Sequence, residues 1–282
     1  MKIIDNINEL KAETAVHRKA GRTIGLVPTM GYLHEGHLSL VKASRRDNGI
    51  TVMSIFVNPA QFGVNEDFNR YPRDMEGDSR KAEDAGVDII FAPQVAEMYP
   101  EGYGAYVAVT GITETLEGRS RPGHFRGVAT VVAKLFNIVG PDRAYFGQKD
   151  AQQVAVVRKM ARELNMAVEI IACPIVRERD GLAMSSRNVY LAPGERQAAL
   201  VLSRSLFSAQ RLISEGERDA RRIRDFIQRE ISGEKLADID YVAVVDADTL
   251  DEARRLEGRV MAAVAVRFGK TRLIDNVVVE VR

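Results

Sequence analysis

The chain has 282 residues, 45% of them hydrophobic, enough to bury roughly 75% of the unfolded surface in one large domain or two ordinary ones. Forty Lys and Arg against 39 Asp and Glu leave a net charge of +1, which excludes a general electrostatic footprint for nucleic acid or an anionic membrane but not a local basic cluster. The single cysteine, Cys173, excludes an internal disulfide and a Cys-rich zinc cluster. No run approaches the roughly 18 apolar residues of a spanning helix, and the charged N-terminal stretch lacks a signal-like core. The expectation is an unprocessed, cytoplasmic protein with no membrane segment and no nucleic-acid partner.

In chain order, the first strong element is the aliphatic run 23–27, which reads as a short buried strand. Residues 38–44, apolar at 38, 40, 41 and 43, read as a helix. Between them lies MGYLHEGH. Next come a strand in ITVMSIFVNP, a polar helix in RDMEGDSRKAEDAG closed by Gly86, and a strand in VDIIFAP. The glycine-rich connection in EGRSRPGHFRGVATVV precedes an apolar helix. RAYFG and VEIIACPIV read as strands flanking a helix in DAQQVAVVRKMARELN, apolar at 154, 156, 157, 160 and 164. Such alternation predicts an α/β domain built on a parallel sheet, because parallel neighbours need long crossover connections.

After Val176 the pattern changes. RERDGLAMSSRN is charged and poor in apolar residues, and reads as an exposed, mobile loop. A helical region over about 194–231 follows, then three strand-like runs. The reading is a smaller C-terminal α+β domain over 177–282, appended to an N-terminal domain over 1–176.

Four segments fall where α/β folds place ligands, and a fifth adds charge. His34 and His37 sit at a strand-to-helix junction, where the helix has unpaired N–H groups and the positive end of its dipole. Gly31 and Gly36 would let a phosphate approach the backbone. In YFGQKDAQQ, Gly147 allows close approach, Lys149 can meet a phosphate or ribose, Asp150 can orient it, and Gln153 lies a turn further on. In MSSRN two hydroxyls precede Arg187, which can grip phosphate oxygens bidentately. In FVNPAQFG, Asn58 and Gln61 supply amides suited to a hydroxy acid. Arg119, Arg121, His124 and Arg126 form a basic set able to balance a polyphosphate. Taken singly, the last four segments read as readily, and QKD more readily, as solvated loops or turns; two histidines in an arbitrary sequence are more often surface residues, but their place after a buried strand with glycine between reverses those odds.

HEGH is similar to the motif of the HxGH nucleotidyl-transfer superfamily, and MSSRN resembles in kind the KMSKS loop of class I aminoacyl-tRNA synthetases. Such enzymes use a Rossmann-like sheet without the dinucleotide glycine fingerprint, which is absent after every strand-like run here. With VPTMGYLHEGH, NPAQFG, RPGHFRGV, FGQKDAQQ, DGLAMSSRN and RLIDN in order, the whole chain closely resembles the pantothenate synthetase (pantoate:beta-alanine ligase) family. Two positions depart from the family pattern: Gln148 stands where a glutamate is expected, and Ala151 where an aromatic residue is.

The resemblance implies an ATP-dependent ligase using Mg²⁺. Pantoate and ATP would give pantoyl adenylate and pyrophosphate, and beta-alanine would then displace AMP. It places ATP on Met30, Gly31, Tyr32, Leu33, His34, Glu35, Gly36 and His37, on Gly147, Gln148, Lys149 and Asp150, on the backbone at Val176, and on Met184, Ser185, Ser186 and Arg187. His37, His34 and Lys149 would be catalytic, with His37 donating a proton or hydrogen bond as pyrophosphate leaves. Gln61 and Gln153 would hold pantoate, and Gln61 would also touch beta-alanine. The metal ligands are unassigned; Asp78 is a weak candidate, and its own context reads as a helix-surface acid. The resemblance also implies a homodimer. Two rivals stay open: an adenylyl transferase acting on a phosphate, and a nucleotide-binding regulator that has lost catalysis.

Overall fold

The computed structural model describes residues 1–64 and 66–281. Its larger sheet has six strands: β1 (Lys2–Ile4), β2 (Ile24–Thr29), β3 (Ile50–Ile55), β4 (Ile89–Phe91), β5 (Arg143–Gly147) and β6 (Glu169–Cys173). All neighbours are parallel, in the order β1-β4-β3-β2-β5-β6. The crossovers carry α1 (Ile7–Lys19), α2 (Glu35–Asp47), α3 (Met75–Asp84), α4 (Val95–Met98), α5 (Leu116–Ser120), α6 (His124–Val139) and α7 (Ala151–Glu163). The central strands are aliphatic because helices cover both faces. All six residues of β3 are buried, and β2 is nearly so.

One face of the sheet packs Leu26, Val52 and Phe146 against α6 and α7, and the other packs Val27, Met53 and Tyr145 against α2 and Ala82 of α3. From β2 the chain winds outward through β3 and β4, then returns to place β5 on the other side of β2. A crevice opens at such a reversal, beyond the carboxyl ends of the strands. The segments after β2 and β5, which carry His34, His37 and Lys149, therefore meet there.

The second sheet is antiparallel: β7 (Ala237–Asp246), β8 (Gly258–Phe268) and β9 (Thr271–Val281), in that order. Helices α8 (Pro193–Ala198), α9 (Leu200–Ser214) and α10 (Ala220–Ser232) precede it. Along α10, Ile223, Ile227 and Ile231 repeat every four residues and are fully buried against this sheet, as a one-faced apolar stripe requires. The architecture is thus the expected parallel α/β sheet with a smaller C-terminal α+β domain.

Three details differ from the sequence reading. β1 and α1 lie outside the runs that patterning singles out, since β1 is only three residues long. Leu164, counted on the apolar stripe of α7, is 53% exposed, because the helix has ended at Glu163 and the stripe no longer faces the core. The charged stretch 177–188 is a folded hairpin rather than an exposed, mobile loop. Glu178 N–H donates to Leu182 O at 2.8 Å, Met184 N–H donates to Val176 O at 3.0 Å, and Leu182 and Ala183 are buried. Its charges are matched by partners elsewhere in the chain, Arg177 by Asp275 and Glu178 by Arg196, and composition does not reveal such pairing.

Candidate active site

The turn after β2 is built around Asp78. This residue, expected at a helix surface, is 1% exposed, and its carboxylate accepts the N–H groups of Tyr32 at 2.7 Å and Leu33 at 2.6 Å. Burial pushes its pKa up, against those two hydrogen bonds. Lys81 Nζ donates to Leu33 O at 2.8 Å and closes the brace. Gly31 has φ +80°, and a Cβ there would lie 2.8 Å from Asp78 Oδ2, so the turn needs glycine. With both oxygens committed to the backbone, Asp78 is a poor metal ligand, and its place in the sequence gave no sign of this role.

His34 is the N-cap of α2. Its Nδ1 accepts the Gly36 N–H at 3.1 Å, while His37 Nδ1 accepts the His34 N–H at 3.3 Å. The expectation of free helix N–H groups is therefore corrected. Gly36 N–H is taken by His34, and His37 N–H by His34 O at 2.8 Å. The same bonds set the tautomers: with each Nδ1 accepting, the proton of each neutral ring sits on Nε2. The ring centroids are 4.1 Å apart. Burial, and then the nearby Lys149 charge, lower the His34 pKa to about 4. Burial, then His34 and Lys149, lower that of His37 to about 3. Both rings are neutral N–H donors at neutral pH.

These rings line a cavity of about 210 Å³ together with Met30, Gly36, Gln61, Gly147, Lys149, Asp150, Gln153, Val176, Met184, Ser185, Ser186 and Arg187. The five separated segments singled out in the sequence thus converge. Gly31, Tyr32, Leu33, Glu35 and Gln148 stand off its walls. Leu33 packs into the core beneath α2, and Glu35 faces Lys42 at 3.7 Å on the surface. One wall is apolar, made by Phe56, Val128, Val131, Val132, Leu135 and Phe146. Opposite the imidazoles, Gln61 Oε1 accepts from Asn58 Nδ2 at 3.0 Å, and Tyr99 OH donates to Asn58 Oδ1 at 2.7 Å. The Gln153 side chain has no hydrogen-bond partner among the described residues and lines the cavity. Helix α6 touches the Asn58–Gln61 turn because position 127 is glycine: a Cβ there would sit 2.1 Å from Ala60 O.

A second cavity of about 900 Å³ continues from the first into the cleft between the two sheets, sharing Lys149, Asp150, Gln153, Ser185 and Arg187 and adding Arg272 and Asn276. The arginines expected to clamp phosphate are engaged. Arg187 makes two hydrogen bonds to Asp67, at 2.8 and 2.9 Å, and Arg121 makes two to Glu66, at 2.7 and 2.6 Å. Arg121 also reaches His124 Nε2 at 3.1 Å, so His124 Nδ1–H donates to Gln61 O at 2.9 Å. Burial and the Arg121 charge lower its pKa to about 4. Arg126 turns away to the Tyr106 ring, 4.9 Å distant, so the basic set of that connection is split. Lys149 Nζ lies 4.0 Å from Asp150 Oδ1.

Sequence reading missed the second ring of contacts. Asp67 and Glu66 hold the arginines, Asp275 pairs with Arg177 at 2.7 Å, and Asn276 contacts the turn at Lys149. RLIDN, the segment containing Asp275 and Asn276, stood out only as a terminal motif. No helix among the described residues is long and apolar enough to cross a membrane.

Comparison with known proteins agrees with this geometry. Residues 2–278 match the family described as Pantoate-beta-alanine ligase. A pantothenate synthetase of Acetivibrio thermocellus is 66% identical, and one of Heliobacterium modesticaldum 60%, each over 281 residues covering 100% of both chains. A crystal structure of pantothenate synthetase from Thermus thermophilus superposes with a TM-score of 0.94 at 47% identity, covering 98% of this chain and 99% of that one. A pantoate-beta-alanine ligase from Francisella tularensis, solved in complex with beta-gamma ATP and beta-alanine, gives 0.80 at 33% identity, covering 98% and 97%. A strand-order reversal that gathers HEGH, the glutamine pair, Lys149 and the serine loop around one cavity, in a chain matched end to end by such relatives, shows that this chain belongs to the pantoate-beta-alanine ligase family.

Proposed function

We propose that this cleft condenses pantoate with beta-alanine at the expense of ATP, through pantoyl adenylate, giving pantothenate, AMP and pyrophosphate. The observation that carries the assignment is the pairing of two Nε2–H imidazoles and Lys149 with two glutamine amides across one small, half-apolar cavity. A carboxylate and an amine at neutral pH form only a salt. Adenylation supplies the leaving group, and the protein's part is positioning and stabilising charge on phosphate oxygens. His37 and His34, held neutral by burial, act as hydrogen-bond donors to those oxygens rather than as acids, and Lys149 supplies the charge.

The nucleotide lies along Met30, His34, Gly36 and His37, along Gly147, Lys149 and Asp150, and along Val176 and residues 184–187, with Gly31, Tyr32 and Leu33 shaping the turn behind it. Gln61 and Gln153 hold the carboxylate and hydroxyls of pantoate, the apolar wall of Val128, Val131, Val132 and Leu135 takes its branched carbon, and Gln61 also meets beta-alanine. Arg187 leaves Asp67 when the triphosphate arrives. Mg²⁺ accompanies ATP. Among the described residues no three His, Cys, Asp or Glu form a metal cluster, and a Mg²⁺ held mainly by phosphate oxygens and water needs no such cage. Asp150 is the carboxylate that lines the cavity where the ion would arrive.

The test is pyrophosphate exchange into ATP. Exchange that requires pantoate, and a quenched single turnover that traps pantoyl adenylate, are the expected results; exchange supported by a phosphate acceptor instead would refute the assignment. We further propose a domain boundary at 176/177 and residence in the cytoplasm. We also propose a homodimer: residues 106–110 lie outside any strand and alternate between exposed and half-buried, as befits a segment that pairs with a second copy.

A further inference from the structure

The turn that carries Lys149 does not hold itself in place. Gln148, Lys149 and Asp150 form one short 3₁₀ turn between β5 and α7, with no side-chain cap. Its carbonyls point toward the C-terminal sheet. There Asn276 of β9, 3% exposed, donates Nδ2–H to Gln148 O and to Lys149 O, each at 3.0 Å. Two carbonyl acceptors fix the orientation of the amide, because the flipped side chain would set Oδ1 against both. Oδ1 is left buried without a partner, an arrangement that costs free energy and persists only where the geometry of the two donated bonds requires it.

Asn276 is itself tied down. The adjacent Asp275 is 2% exposed, takes two hydrogen bonds from Arg177 at 2.7 and 2.9 Å, and accepts the Asn276 N–H at 2.8 Å. Arg177 begins the hairpin that leads into Ser185 and Ser186, and its Nη1 donates to Gly181 O at 3.1 Å. Two consecutive residues of β9 thus grip both the lysine turn and the serine hairpin, segments that otherwise come from different parts of the chain.

We propose that Asn276 is a positioning residue for Lys149: by holding the carbonyls of the 148–149 turn it aims the ammonium group at the phosphates during adenylate formation. The inference rests on the role given to Lys149 under Proposed function. A small displacement of a charged group in a dry site weakens the interaction with the transition state far more than it weakens the fold.

The experiment is a double-mutant cycle in the full-length enzyme, read in single-turnover formation of pantoyl adenylate. Asn276→Ala, and the nearly isosteric Asn276→Leu that keeps packing but donates nothing, should each slow this step about 30-fold. The rate of amide formation from supplied pantoyl adenylate should stay within about twofold of the parent. In a Lys149→Met background, itself slowed, Asn276→Leu should cost less than about threefold, since the group it aims is gone. Equal losses in both backgrounds, or equal losses in both half-reactions, would show a merely structural Asn276 and overturn the proposal. A Lys149→Met enzyme with a normal rate would overturn the role of the lysine first, an outcome distinct from additivity.

Discussion

At the scale of single residues, the informative atoms are the Nδ1 nitrogens of His34 and His37. Each accepts a backbone N–H, so each ring presents Nε2–H to the cavity without having to be charged. Nitrogen-15 spectra of histidine-labelled enzyme at neutral pH should show the Nε2–H tautomer for His34 and His37 and the Nδ1–H tautomer for His124. A protonated imidazolium at His37 would contradict the geometry. Replacing His37 with Ala should slow pantoyl adenylate formation about a hundredfold or more while the protein stays folded. Near-normal turnover would remove it from the mechanism.

The pH dependence of stability follows from the same burial. An unfolded histidine titrates near its ordinary value of 6.5, whereas His34 and His37 in the fold titrate near 4 and 3. Below pH 6.5 the unfolded chain therefore binds more protons than the native one, and stability falls as the pH drops toward those folded values. Above pH 6.5 both states are neutral and the effect vanishes. Denaturant titrations at pH 7 and pH 5 should show a smaller loss of stability on acidification in His37→Asn than in the parent. Equal losses would mean that the ring is not desolvated.

At the scale of elements, the turn after β2 depends on a helix-borne carboxylate. Asp78→Ala strips the buried N–H of Leu33 and the half-buried N–H of Tyr32 of their acceptor. At about 1–3 kcal/mol per unsatisfied group, the expected destabilisation is about 2–4 kcal/mol in equilibrium unfolding, with a raised KM for ATP because His34 and His37 follow directly. A change below about 0.5 kcal/mol would show that the brace is dispensable. The hairpin 177–188 gives a second test. Its internal bonds and its ion pair to Asp275 predict slow proteolysis even in the free enzyme, and Asp275→Ala should make the segment readily cleaved. Rapid cleavage of the parent at these residues would argue for the mobile loop that composition alone suggests.

At the scale of the whole molecule, the two sheets are joined by a buried charge network rather than by apolar contact alone. Glu117 of α5, 7% exposed, takes two hydrogen bonds from Arg272 of β9, at 2.7 and 2.8 Å, and one from Tyr241 OH of β7, at 2.9 Å. Arg272 also binds Asp240, which helps keep its pKa raised against the cost of burial. Ala151 packs near this junction, among Val245, Leu250 and Met261. A small side chain thus stands at a contact between the sheets. Removing one partner of a buried ion pair costs about 3–5 kcal/mol. Glu117→Ala should lose stability at the low end of that range, since Asp240 still pairs the arginine, and should weaken ATP binding by loosening the cleft. An unchanged unfolding midpoint would show that apolar packing sets the arrangement.

The local pattern of this sequence determined much by itself. Aliphatic strands alternating with amphipathic helices dictate a parallel sheet, because side-chain periodicity and crossover length are properties of short segments. HEGH, QKD and MSSR mark their places at strand and helix ends for the same reason. Only the tertiary structure decided which charges are free. Asp78 became a buried brace, Arg187 and Arg121 were matched to Asp67 and Glu66, and Asn276 came to hold a turn 127 residues away. Such pairings depend on where the folded chain brings distant segments within about 3 Å of each other, the range over which a hydrogen bond acts, and no periodicity along the chain encodes that distance.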